Sequence, residues 1–348
     1  MAGLILRRFT ALAVLLTVAW AGSACAFDTE TATGVNFGEY GKQAYAYLQY
    51  IDQNLQDRDS DGGKDTVRAQ EWIIRELETA GYADAQIEKQ DVPFQTDSGK
   101  KRTTQNIIAT LPGQTEQQII VGAHYDAGDE GNGTGDNGSG VALLLETACR
   151  LVREQPLPET LIFVFFGAEE YDLDGSAAYA RSMTKREVAD TLFMINLDSL
   201  ICGDFCYLYG GVADFENRRV DELDAFRRVY AIGVRLGLSL HVIPWTFDHP
   251  APGFREPDYP SPSAGDWSDH VAFAERGIQY VYFEASNWEI PGPDRQYDGD
   301  SETADAGKFM HTRRDTLTKL EELFPGRALY HLRVFSLLLN AVLTDHDI

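Results

Sequence analysis

The sequence predicts an α/β fold: a layered domain built on a mixed, mostly parallel sheet. Three observations predict it. Strand-like and helix-like segments alternate along the chain. The runs 118–123 (QIIVGA) and 160–167 (TLIFVFFG) are almost wholly apolar, as strands covered on both faces must be. The helices around them carry apolar residues at three- and four-residue spacing, which leaves one stripe to pack against a sheet.

In order, residues 41–56 and 64–80 have helical spacing, and Gly81 ends the second helix. Strand-like runs follow at 85–92, 104–111 and 118–123. A helix over 139–153 leads to the strand 160–167. A helix near 174–183 precedes the apolar run 191–197 (TLFMINL). Residues 206–210 read as a strand, 216–237 as a long helix and 278–284 (IQYVYFE) as a strand. An amphipathic helix over 325–343 closes the chain, with Pro325 in its first turn. No repeat or composition break divides residues 27–348, which are read as a single domain.

Residues 1–26 stand apart. Arg7 and Arg8 form a basic head, Thr10 to Trp20 an apolar run too short to span a bilayer, and Ala24-Cys-Ala26 a small-residue cleavage site. This is the pattern of a secretory signal peptide removed after Ala26, so the expectation is export to the periplasm or the outside. Cys25 offers lipid anchoring as the alternative, for which Gly22 is a poor fit. No later run is long and apolar enough for stable membrane insertion. The 54 acidic residues against 30 basic give a formal net charge of −24. Such a surface repels nucleic acid and anionic membranes and favours cationic partners. Nothing in the sequence fixes the oligomeric state.

Cys202 and Cys206 could form a disulfide if Gly203-Asp204 turns tightly, since four residues of extended chain span roughly 13 Å. Unpaired thiols are the alternative, and Cys149 reads as a buried small hydrophobe on a helix face. Residues 243–267 hold six of the 13 prolines and several aromatics, which suits an ordered lid or pocket wall.

Gly133-Thr-Gly135-Asp-Asn-Gly138 spells GxGxxG, the fingerprint of a dinucleotide loop. The surroundings contradict that reading. Nine residues separate Ala123 from the motif, no lysine is at hand, and Asp126, Asp129, Glu130 and Asp136 crowd the place where a pyrophosphate would sit. The same residues suit a cation. His124 and Asp126 follow one strand, Glu169 and Glu170 the next, and Asp198 a third, with Asp136 on the glycine-rich turn. In a parallel sheet the carboxyl ends of the strands meet at one edge, where sites form.

His124-Tyr-Asp126, Gly135-Asp136-Asn-Gly-Ser-Gly140, Gly167-Ala-Glu-Glu170, Asn196-Leu-Asp198, Ser268-Asp-His270 and His311-Thr-Arg-Arg-Asp-Thr316 occur in that order. Over 75–316 the chain thereby resembles the co-catalytic zinc aminopeptidases of metallopeptidase family twenty-eight. The resemblance implies a three-layer α/β/α sandwich and two zinc ions per chain, with manganese or cobalt as substitutes. It implies five ligands. Asp136 bridges, His124 and Asp198 complete one ion, and Glu170 and His311 complete the other. The ions share a hydroxide, Glu169 is the general base, and Asp126 orients the His124 ring through its second nitrogen.

His270 is the rival to His311 as a ligand. If His311 is the ligand, Asp269 and His270 become candidates for holding the substrate's amino group or the reaction intermediate, and Glu284 is a further candidate substrate-binding residue. Asp315 is expected to anchor the His311 loop. Met310 stands where members of the family often carry a tyrosine. His241, His249, His331 and His346 have no motif context. The implied activity is removal of N-terminal residues from peptides or proteins, with basic residues favoured. The alternatives are a glutaminyl cyclase-like enzyme, against which the short spacing to Gly175-Ser-Ala argues, and a non-catalytic ectodomain, against which the complete ligand set argues.

Overall fold

The computed structural model describes residues 34–128, 130–214, 219–221, 223–242, 264–290 and 302–345. The expected signal peptide with Cys25, Asp129, the 243–263 part of the proline-rich segment, His249 and His346 lie outside them. Among the described residues nine strands form one sheet: β1 (Ile87–Gln95), β2 (Lys101–Leu111), β3 (Gln118–His124), β4 (Thr160–Phe166), β5 (Thr191–Leu197), β6 (Phe205–Asp214), β7 (Arg219–Asp221), β8 (His241–Val242) and β9 (Tyr280–Ser286). Their order is β1-β2-β4-β3-β5-β9-β6-β7, with β8 beside β6. The centre, β4-β3-β5-β9, is parallel, and β1, β2, β6 and β7 add antiparallel flanks. The sheet is thus mixed, with the predicted apolar runs at its parallel middle.

The helices are α1 (Lys42–Asn54), α2 (Thr66–Ala80), α3 (Gly140–Leu151), α4 (Asp174–Ser182), α5 (Lys185–Asp190), α6 (Asp224–Arg235), α7 (His270–Ala274), α8 (Leu317–Leu323) and α9 (Arg327–Thr344). Because strand side chains alternate between faces, the sheet feeds two cores. Val121, Phe163, Ile195 and Phe283 point to the side of α1, α2, α3, α6 and α9. Ile120, Val164, Met194 and Tyr282 point to the other, where Tyr179 of α4 and Phe273 of α7 pack. This is the three-layer sandwich.

Two details tie the first helices down. The buried Glu146 of α3 accepts the backbone N–H groups of Gly41 and Ala44 at 3.0 and 3.1 Å, supplying the start of α1 with the cap its own sequence lacks. Trp72 of α2 stacks on Tyr50 of α1 with ring centroids 5.0 Å apart. The long helix expected over 216–237 starts only at Asp224, because residues 219–221 pair antiparallel with 212–214. The closing helix starts at Arg327 with Gly326 as its cap, so Pro325 precedes it. No helix among the described residues is long and apolar enough to cross a membrane.

Register places the site. His124 lies opposite Phe166, Gly122 opposite Asn196, and Leu197 opposite Phe283. The carboxyl ends of β4, β3 and β5 therefore finish nearly level, so Glu169, Glu170 and Asp198 just beyond β4 and β5 share one edge with His124, and Glu284, within β9, follows Phe283 at the same level.

Candidate metal centre

His124 ends β3 and is 1% exposed. Asp136 comes from the turn Thr134–Ser139, where its own backbone is extended (φ −109°, ψ 98°) and its peptide bond to Asn137 is cis. The glycines of this turn serve close approach. A Cβ on Gly133, whose φ is +56°, would lie 2.4 Å from Ala127 Cβ, and one on Gly135 would lie 2.0 Å from Cys202 Sγ. No side chain larger than hydrogen fits either position without moving its neighbour.

The two carboxylate oxygens of Asp136 face different histidines. Oδ1 is 3.2 Å from His124 Nε2, and Oδ2 is 2.8 Å from His311 Nε2. Asp198 Oδ1 lies 3.5 Å from His124 Nε2, and Glu170 Oε2 lies 3.6 Å from His311 Nε2. Glu169 Oε2 is 3.8 Å from His124 Nε2. His124, Asp136 and Glu170 offer donor atoms within 4.8 Å of one another, as do His124, Glu169 and Asp198. His124 Nε2 and Glu170 Oε1 are buried without a hydrogen-bond partner, the state in which a buried donor set awaits an ion. Imidazole nitrogen and carboxylate oxygen are ordinary zinc donors. The set fits the binding of a divalent cation such as zinc.

The electrostatics describe the same deficit of positive charge. Burial pushes Glu169 well above the usual carboxylate range, and the carboxylates of Asp269, Asp198 and Glu170 add to it against the pull of His124. Burial and Asp136 push Glu170 up to about 8. Burial would also raise Asp136, but the His124 and His311 imidazoles facing its two oxygens outweigh it and hold that carboxyl low. The bond to Asp136 lifts His311 to about 9.

A cavity of about 460 Å³ opens on Asp136, Glu169, Asp198 and His311. Its walls include Trp267, Trp288, Tyr282, Glu284 and Met310. Trp267, 43% exposed, stands 5.9 Å from Trp288, centroid to centroid. Trp288 Nε1 donates to Tyr209 Oη at 2.6 Å, and the Tyr209 hydroxyl donates to Glu284 Oε2. Glu284, the candidate substrate-binding residue, lines this cavity.

The model of Peptidase family M28 matches residues 106–328. The chain belongs to that family. It is 30% identical over 241 residues to the Alkaline phosphatase isozyme conversion protein of Escherichia coli, covering 65% of this chain and 66% of that one. It spans 21% of the length of other curated aminopeptidases that it matches. Among solved structures, a glutaminyl cyclase from Porphyromonas gingivalis superposes with a TM-score of 0.65 at 18% identity, over 88% of this chain and 98% of that one. A zinc aminopeptidase from Bacillus subtilis gives 0.63 at 15% identity, over 89% and 96%. At such identities the superpositions speak for the fold.

Around this M28 site, several residues hold the acidic set in place. The Asp126 carboxylate accepts the backbone N–H groups of Glu169 and Glu170 at 3.2 and 3.3 Å. Its own backbone carbonyl is nearer to His124 Nδ1, at 3.2 Å, than its carboxylate, at 3.6 Å. Asp126 therefore orients both strand ends as well as the ring. The Asp315 carboxylate holds the turn of Asp136, through the N–H groups of Gly135 and Asp136. Ser268 Oγ donates to Asp198 Oδ2 at 2.7 Å and accepts from Asn196 Nδ2 at 2.8 Å. Three non-glycine residues at the site have left-handed backbones: Ala168 before Glu169, Ser199 after Asp198, and His311 itself (φ 59°, 53° and 53°). Such conformations cost about 1–3 kcal/mol each and cluster at functional sites.

Some expectations need correction. Asp269 and His270 are fully buried and do not line the cavity. α7 begins at His270 and turns its ring inward, 5.2 Å from Tyr282, with Nε2 on the Gly265 carbonyl at 2.8 Å. The motif reaches the site through Ser268, which sequence reasoning passed over; its spacing to Asn196-Leu-Asp198 carried no signal. Nor does His270 compete with His311, which faces Asp136 directly. Cys202 and Cys206 are separate thiols. Cys206 is already in β6, paired across from Ala285, while Cys202 turns toward Asp315, Sγ to Oδ1 at 3.9 Å. His331 is a core residue of α9. Ser199 Oγ contacts Met310 Sδ at 3.2 Å; Tyr282 brings a tyrosine hydroxyl to the cavity from a different strand, 3.4 Å from Asp198 Oδ2.

Proposed function

We propose that the chain is an exported zinc aminopeptidase that hydrolyses the N-terminal peptide bond of peptides or proteins. The observation that carries this reading is the Asp136 carboxylate set between His124 and His311, each backed by a further acid. His124, Asp136 and Asp198 would hold one zinc ion, and Asp136, Glu170 and His311 the other. Two ions held there supply polarisation of the scissile carbonyl and activation of water. Glu169 lies beside the donor set and lines the cavity. It accepts the proton of the attacking water and passes it to the leaving amine.

The cavity supports a preference for N-terminal residues with cationic side chains. Glu284 offers a carboxylate in its wall, and Trp267 and Trp288 offer flat faces that suit an aliphatic stem or a cation. The acidic chain as a whole attracts such substrates. Export rests on the N-terminal pattern of residues 1–26.

The test is product analysis with free and N-acetylated peptides, including one that starts with glutamine. The proposal expects release of N-terminal residues from free peptides only. Cyclisation of the glutamine peptide without hydrolysis of the others supports a glutaminyl cyclase instead, and no turnover of any supports a binding ectodomain.

A further inference from the structure

Arg58 has no part in the chemistry above, yet it is only 2% exposed. It lies in the connection between α1 and α2. Its Nε donates to the Tyr125 carbonyl at 2.8 Å, Nη1 to the carbonyls of Leu55 and of Asn132, the latter at 3.1 Å, and Nη2 to the Gly133 carbonyl at 2.6 Å. All these acceptors are neutral, although a buried cation is costly. Its charge is offset at longer range by Asp315, Asp126, Asp136 and Glu170. Tyr125 directly follows His124, and Asn132 and Gly133 open the turn that carries Asp136. One planar group therefore ties together both ends of the loop between these two residues.

We infer that Arg58 is a positioning residue of the metal centre. It fixes the separation of His124 and Asp136 before any ion binds and places a permanent positive charge beneath the carboxylates. The inference rests on the two-zinc reading above. A lysine keeps the charge but has no fork with which to reach three separate segments at once, so Arg58→Lys separates geometry from charge.

Metal-free full-length protein is titrated with Co²⁺, following heat and the visible absorption of the bound ion. In Arg58→Lys the affinity should fall at least about tenfold, as for other groups that orient metal ligands, with a changed cobalt spectrum. Wild-type affinity and spectrum in a folded Arg58→Lys protein would overturn the inference while leaving the metal reading intact. A wild type that binds no ion takes both down. Hydrogen exchange on the wild type needs no variant. Amides of 132–138 should be as protected in the metal-free as in the zinc-loaded protein, and a turn that loses protection without zinc is ordered by the ion, which also overturns the inference.

Discussion

The Asp315 carboxylate holds the turn of Asp136: Oδ1 accepts the N–H of Gly135 at 2.6 Å and Oδ2 the N–H of Asp136 at 3.0 Å. Asp315 lies four residues after His311, so the loop that brings the second histidine also sets the carboxylate facing it. Asp315→Ala leaves two buried N–H groups unpaired, at about 1–3 kcal/mol each. The thermal midpoint of the chelated protein should fall, and zinc should be lost to a competing chelator at lower concentration. A variant with unchanged midpoint and zinc retention contradicts the coupling.

Glu169 is assigned to proton transfer and not to holding an ion. Glu169→Gln should retain wild-type zinc content while kcat drops by about 10²–10⁴, the range for a positioned acid–base group. Loss of zinc in parallel with activity would make Glu169 a ligand, and normal turnover would remove it from the mechanism.

Glu284 sits in the cavity wall with Tyr209 on one of its oxygens. Burial raises Glu284 to about 8, so a cationic side chain beside it would hold it ionised, and Glu284→Gln keeps the size but removes that response. The ratio of kcat/KM for arginyl over leucyl substrates should fall by about tenfold or more, consistent with the 1.5–3 kcal/mol of a hydrogen bond to a charged group. An unchanged ratio places the selectivity elsewhere.

Two buried histidines are expected to weaken the fold as the pH falls. Burial holds His270 down to about 4 and His331 to about 3, against an ordinary value of 6.5. A depressed histidine stays neutral in the folded chain while the unfolded chain takes a proton. Its contribution is therefore full above pH 6.5 and is lost as pH falls toward the folded value, by at most about 1.4 kcal/mol per pH unit for each group. His331→Leu should flatten the decline of the unfolding midpoint between pH 6.5 and 4.5. An equally steep decline in the variant assigns the acid lability to other groups.

The chain's residues announced the parallel centre of the sheet because those strands are buried on both faces and must be apolar throughout. They announced the acidic cluster because His124, Glu169, Glu170 and Asp198 stand at or just past strand ends. What stayed hidden has physical reasons. Residues 219–221 carry no alternation strong enough to mark an edge strand, so a helix was the simpler reading. The side of α7 that His270 faces depends on tyrosines of β9, which no local pattern reveals. Arg58 and Ser268 act through backbone carbonyls and through a carboxylate from distant segments, contacts that have no spacing in sequence.

Two metal ions at this site are proposed to sustain hydrolysis, and release of an N-terminal residue by chelated protein, followed as zinc is returned stepwise, tests this. Negligible release is expected without zinc, with recovery that saturates at two ions per chain. Release that is undiminished by removal of the metal would contradict it.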